Sequence, residues 1–428
     1  MLNYEINHLD TIKRTKELNY KILKDISYVA AMGKAGGGRN ATDPRFLSLF
    51  SVFNMCFPSD ESVHKIYASI LSGHLQPFAD VVKSVADSIT SATLDLYKKI
   101  VRDLPPTPSK FHYIFNLRDL SRIYAGLCIT TPSRFEKKED FVRVWRNECL
   151  RVFHDRAINS KDKNYIQENI SSLISQNFGD CTQFAMREPI LFGDYRNTLI
   201  ANEPRLYEDI QDFDASKGLF AEILDAYNEV NTPMNLVLFD DALDHLTRVH
   251  RVLRMKRGHA LLVGVGGSGK QSLSKLASYA AGCEIFEISL SRGYDETNLR
   301  DDLKVLYHKL GIEGKKTTFL FTDNHVAEEG FLELINNMLT TGQVPALFPD
   351  DEKDGIINNV RDEAAKAGRP PGKESIWNYF IDKCADNLHI ILAMSPTGDT
   401  LRVRCRNFPG MYRNVRFDQN YRNGLEIL

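Results

Sequence analysis

The residues most able to do chemistry are glycines and a lysine spaced for phosphate. Residues 259–272 read His-Ala-Leu-Leu-Val-Gly-Val-Gly-Gly-Ser-Gly-Lys-Gln-Ser, an apolar run passing into G-x-x-x-x-G-K with a helix-like stretch behind it. That order is the architecture of a phosphate-binding loop. Glycines let the backbone turn its N–H groups toward phosphate oxygens, and the helix start adds its dipole. The candidate nucleotide contacts are Gly264, Val265, Gly266, Gly267, Ser268, Gly269, Lys270, Gln271 and Ser272. Lys270 would reach the β/γ-phosphates as a mobile cation. The residue after this lysine normally supplies a hydroxyl to Mg²⁺, and here it is Gln271. Binding of ATP or ADP is therefore well signalled, and hydrolysis is not.

A later strand ends in an acid. Thr317-Thr318-Phe319-Leu320-Phe321-Thr322-Asp323 reads as a buried strand ending in a carboxylate, the candidate Mg²⁺ residue. Two registers stay open. In one, Asp323 is the metal acid and Asn324 stands where a water-polarising Glu would be. In the other, Asp323 is a shortened form of that Glu and the metal acid is lost. Both lack one carboxylate. The run 388–394 ends at Ser395, readable as a γ-phosphate sensor or as an ordinary polar strand cap. The stretch Asn235-Leu236-Val237-Leu238-Phe239, centred on Val237, could bracket an adenine ring or belong to the core. Arg45, Arg118 and Arg406 are surface arginines on one reading. On the other they act, in a ring of subunits, on the neighbour's nucleotide, as an arginine finger does. Asp323, Ser395 and Arg406 complete the candidate catalytic set.

These residues need a parallel sheet to hold them. From His259 onward, apolar runs at 259–264, 284–289, 317–322 and 388–394 alternate with helical patterns, the sign of strands with crossovers. Residues 60–177 are helical in texture: Val63, Ile66, Tyr67, Ile70 and Leu71 recur at helical spacing. Single amphipathic runs are expected over 76–103 and 134–177. Residues 26–32 and 50–57 read as buried strands around a glycine-rich loop. The expected division is 1–59, the end of one α/β unit; 60–177, a helical lid; 178–235, a linker with entry helices; and 236–428, a second α/β unit.

The chain has 428 residues, 26% charged and 43% hydrophobic, with a formal net charge of −2. That length calls for several domains. The charge gives no basic footprint for nucleic acid, and no apolar run is long enough to span a membrane. The seven cysteines are scattered without a C-x-x-C pair, which suits the reducing cytoplasm and argues against a metal cluster. The N-terminus lacks the pattern of a secretory signal, so two glycosylation sequons, at Asn40 and Asn169, are read as chance.

Longer stretches resemble the axonemal dynein heavy chains. Residues 234–243 and 264–273, Glu329–Asn337, Gly342–Phe348 and Leu401–Met411 are similar to their fourth AAA+ module. Residues 30–40, Phe115–Leu120, and Trp145, Glu148, Arg151, Val152, Phe153, Asp155 and Arg156 resemble the end and lid of the third. Residues 1–25 and those after Met411 depart from the family pattern, as a truncated or alternatively spliced product or a faulty gene model would. The resemblance implies an AAA+ α/β fold preceded by a helical lid, and a regulatory nucleotide site that hydrolyses little. It implies service to ATP-dependent, minus-end-directed microtubule motility in the axoneme of a cilium or flagellum. The implied partners are other dynein modules, with intermediate and light chains, and microtubules only through the full-length motor. Arg45 and Arg406 would then face the second and third modules' nucleotides, and Arg118 would be the third module's lid sensor. A non-catalytic structural or interaction protein built from the same modules is the other reading.

Overall fold

The computed structural model describes residues 11–14, 20–23, 26–33, 42–107, 109–200 and 203–419. Strands β1 (Thr11–Arg14) and β2 (Tyr20–Leu23) pair antiparallel. The strands expected at 26–32 and 50–57 do not form. Both stretches are irregular and exposed, with Val29 at 95% and Met55 at 89%. Apolar character cannot make a strand without a neighbour to take its backbone hydrogen bonds, and among the described residues neither stretch has one. The glycine-rich loop at 36–40 lies outside the described residues. A short helix, α1 (Pro44–Leu47), stands between the two stretches.

A helical unit follows: α2 (Asp60–His74), α3 (Asp80–Lys83), α4 (Ala86–Asp103), α5 (Leu117–Leu127), α6 (Lys138–Cys149), α7 (Ser160–Asn177) and α8 (Thr182–Ala185). The run expected over 76–103 is thus broken between α3 and α4. That over 134–177 is interrupted by a wide π turn, Leu150–His154. Trp145 is fully buried in this core, its indole N–H donating to Thr93 Oγ1 at 2.8 Å. The same apolar core continues to Phe192 in strand β3 (Phe192–Gly193) and to Tyr207, beside β4 (Glu208–Asp209).

The α/β unit is built on β5 (Ala260–Val263), β6 (Glu284–Phe286), β7 (Thr317–Thr322), β8 (Leu388–Met394) and β9 (Arg416–Gln419). They form one parallel sheet ordered β6-β7-β8-β5-β9. Four of these strands are the expected ones, trimmed by a residue or more in β5 and β6; β9 was not expected. Helices α9 (Phe213–Val230), α10 (Asp240–Arg254) and α11 (Lys270–Ala281) cover one face. The other is covered by α12 (Glu296–Gly311), α13 (Gly330–Thr341), α14 (Asp350–Lys366) and α15 (Lys373–Asn387), with α16 (Thr400–Asn407) and α17 (Gly410–Arg413). Side chains alternate between the two faces, Leu261 and Val263 to one and Ala260 and Leu262 to the other. That is the signature of a strand buried on both sides.

The helical unit is fastened to α10 by buried charge. Glu148 and Arg251 are 0% and 3% exposed and bonded to each other through both carboxylate oxygens. Glu148 Oε1 also accepts from Tyr207 OH at 3.0 Å and Asn147 Nδ2 at 3.1 Å. Gly126 makes room for it: a Cβ there would lie 1.6 Å from Glu148 Oε2. One turn along, Asp155 pairs with Arg151 at 3.3 Å and Arg248 at 3.6 Å. Burial alone would raise the Asp155 pKa, but Arg151 and Arg248 hold it below its ordinary value. Positions 244, 248 and 251 share one face of α10, so a single stripe docks the lid. Glu148→Gln leaves Arg251 buried without its counter-charge and should cost about 3–5 kcal/mol of unfolding free energy in urea. Glu148→Leu with Arg251→Met together should cost less than Glu148→Gln. A loss under about 1 kcal/mol for Glu148→Gln would remove the pair from this role.

Candidate functional site

The phosphate loop leaves the carboxyl end of β5, inside the sheet between β8 and β9, and enters α11 at Lys270. Ligands of open α/β sheets bind at such strand ends. Gly264 N–H donates to Met394 O at 3.1 Å, which ties the loop's start to β8. Gly267 and Gly269 have φ of 77° and 78°, the left-handed region that glycine enters without strain. Space opens beside the loop, since a Cβ on Gly266 or Gly267 would meet nothing within 4 Å. Lys270 Nζ donates to Gly264 O at 2.6 Å, Val265 O at 2.7 Å and Ser268 Oγ at 3.3 Å. Burial lowers the Lys270 pKa, while the charge of Asp323 raises it. Glycine backbone, an ammonium group and a helix N-terminus are a donor set that fits a polyphosphate. Gln271 is exposed and Ser272 half-buried on the first turn of α11.

Asp323 stands directly after β7, opening a single 3₁₀ turn, Asp323–His325. Its Oδ2 accepts from the Ser395 backbone N–H, beyond the end of β8. Its Oδ1 pairs with Arg404 Nη1 at 3.3 Å, and Arg404 Nε pairs with Glu329 Oε1 at 3.1 Å. The Ser395 hydroxyl is turned to Thr397 Oγ1 at 2.9 Å. Asn324 is exposed. Among the described residues no group of three or more His, Cys, Asp or Glu could hold a metal ion. One carboxylate beside bound phosphates is nonetheless a common donor set for Mg²⁺.

The strand ends bring together Lys270, Asp323 and Ser395. Val237 is 82% exposed, while its neighbour Leu238 is buried in the core with α10. Arg406 lies elsewhere, its guanidinium over the Phe111 ring of the helical unit at 5.9 Å. Arg45 is exposed on α1. Arg118 lines a 520 Å³ cavity with Arg122, Arg257 and His259, at the opposite, amino end of β5 and β8. Sequence reasoning passed over Arg404 and Glu329. The signal was available: Arg402, Arg404 and Arg406 alternate, and 100° per residue puts 402 and 406 on one side of α16 and 404 on the other.

Comparisons with known proteins follow this geometry. Residues 234–421 match a family described as P-loop containing dynein motor region D4. Residues 89–186 match an AAA+ lid domain, and residues 7–58 another P-loop containing dynein motor region. The chain is 64% identical over 405 residues to human dynein axonemal heavy chain 10, covering 95% of this chain and 9% of that protein. It is 55% identical over 416 residues to the dynein-1-alpha heavy chain of the flagellar inner arm I1 complex of Chlamydomonas reinhardtii, again 95% and 9%. Human dynein axonemal heavy chain 6 is 40% identical over 406 residues, 94% of this chain and 10% of that protein. The chain thus spans about a tenth of the length of these relatives.

The loop geometry makes one direct demand. Lys270→Ala should weaken ADP binding at least about tenfold, on the order of 1.4 kcal/mol, as loss of a charged hydrogen bond does. Calorimetric titration of both proteins measures it, and equal affinities would separate the loop from nucleotide.

Proposed function

This chain belongs to the axonemal dynein heavy chains, components of the cytoskeleton of cilia and flagella, and from that premise we propose that its phosphate loop is a regulatory nucleotide site. The site holds ATP or ADP and hydrolyses little. The observation that carries this reading is the Lys270 loop at the end of β5 facing a single carboxylate, Asp323, two strands away. Loop amides and Lys270 bind and orient the phosphates. Asp323 would hold Mg²⁺, which supplies charge neutralisation between the phosphate oxygens. Two deficits slow the reaction: Gln271 offers the metal no hydroxyl, and Asn324 cannot take a proton from water. Ser272, about 100° further round α11, is a poor substitute.

In the full-length heavy chain this site would tune ATP-dependent, minus-end-directed movement along microtubules. Other dynein modules and the intermediate and light chains are its partners, and microtubules are met through the rest of the motor. The Arg406 position, against the helical unit and away from Asp323, favours action on the third module's nucleotide. Arg118, across the lid boundary, would read the same neighbour.

Steady-state phosphate release tests the low-turnover reading. The parent chain should stay within about twofold of Lys270→Ala. Gln271→Ser with Asn324→Glu should raise turnover at least about tenfold, the low side of what a general base contributes. Parent turnover well above the Lys270→Ala control would overturn it.

A further inference from the structure

Arg404 reaches the strand ends with contacts that the nucleotide reading leaves unused. It comes from α16, where buried Leu401 and Cys405 fix the helix in the core. Its side chain is 14% exposed, and its guanidinium bridges two carboxylates, Asp323 through Nη1 and Glu329 through Nε. Asp323 and Glu329 are more open, at 35% and 61%. With the Ser395 N–H on Oδ2, each oxygen of Asp323 already has a partner. A guanidinium is permanently charged, so loss of its own proton cannot release it.

We propose that Arg404 is a tethered counter-ion of Asp323 that a divalent cation must displace, so that α16 sets the metal affinity of this site. The inference deepens the regulatory-site reading and rests on it, because the bound phosphates complete the metal's donor set. A divalent cation on Asp323 would sit against the positive charge of Arg404 and would lose one carboxylate lone pair to it. Both effects oppose metal binding. Glu329 gives the displaced guanidinium somewhere to remain, because Arg404 can keep its Nε bond while leaving Asp323. Metal arrival then needs only a side-chain swing, with the helix held by its buried residues. The site would accept nucleotide with or without the metal, which suits binding with little turnover.

Mn²⁺ with saturating ADP is the probe, with free metal read by electron paramagnetic resonance on the whole chain and the ADP–Mn²⁺ complex in free solution measured separately. Arg404→Met should bind one Mn²⁺ at least about tenfold more tightly than the parent, by loss of a charge-assisted contact. Adding Asp323→Asn should return the affinity to the parent's. Arg404→Gln, which keeps polar character, should behave as Arg404→Met does and covers a folding failure of the latter. In parallel, the ratio of ADP affinities in Mg²⁺ and in EDTA should rise in Arg404→Met. Unchanged Mn²⁺ affinity in both Arg404 variants, or a gain that survives Asp323→Asn, overturns the proposal. Failure of ADP to bind any variant would sink the nucleotide reading and this proposal with it, whereas ADP binding with unchanged metal affinity sinks this proposal alone.

Discussion

The buried pairing of Glu148 with Arg251 is the constraint on which the placement of the site depends. Two charges withdrawn from water are tolerated only when each is fully paired and hydrogen-bonded. Tyr207, beside β4, and Asn147, the preceding residue of α6, complete that pairing. The result is a lid that can dock on α10 in one register. Helix α10 packs its apolar side, Leu246, Val249 and Leu253, into the same core as Leu276, Ala277 and Ala280 of α11. It therefore sits between the lid and the helix that starts at Lys270. A change in lid position has a short, packed route to the phosphate loop.

At the other end of that route the site is a small problem of charge. Asp323 is the carboxylate that directly follows β7, and the Lys270 field, the Arg404 guanidinium and the Ser395 amide all act on it. In a hydrolysing relative of this design, a metal hydroxyl ligand and a general base would tip the balance toward reaction. On the proposed reading Gln271 and Asn324 supply neither, and what is left would bind and orient phosphate, a function compatible with a module that reports nucleotide state to its neighbours.

Much of this was legible in the sequence. Strands β5, β7 and β8 are runs of apolar residues bounded by turns, and a strand buried on both faces must look so. The phosphate loop was legible because only glycine and lysine at that spacing do that work. Other features left weaker traces. The π turn at 150–154 adds no residue type that departs from helical texture. Strand β9 is only four residues and carries charge, so periodicity had little to act on. Residues 50–57 read as a strand by composition, but pairing is a non-local property. Arg404 has no signal of its own in chain order, because only its side of α16 sets it apart from Arg402 and Arg406.

The central claim is a site that keeps its nucleotide unhydrolysed, and the identity of the bound nucleotide tests it most directly. Chain mixed with sub-stoichiometric radiolabelled ATP and Mg²⁺ should, after rapid removal of free nucleotide and an hour's incubation, release mainly ATP on denaturation, and Lys270→Ala should retain almost none. Recovery of mostly ADP from the parent chain would contradict the account, and place an effective catalyst at Asp323 in spite of Gln271 and Asn324.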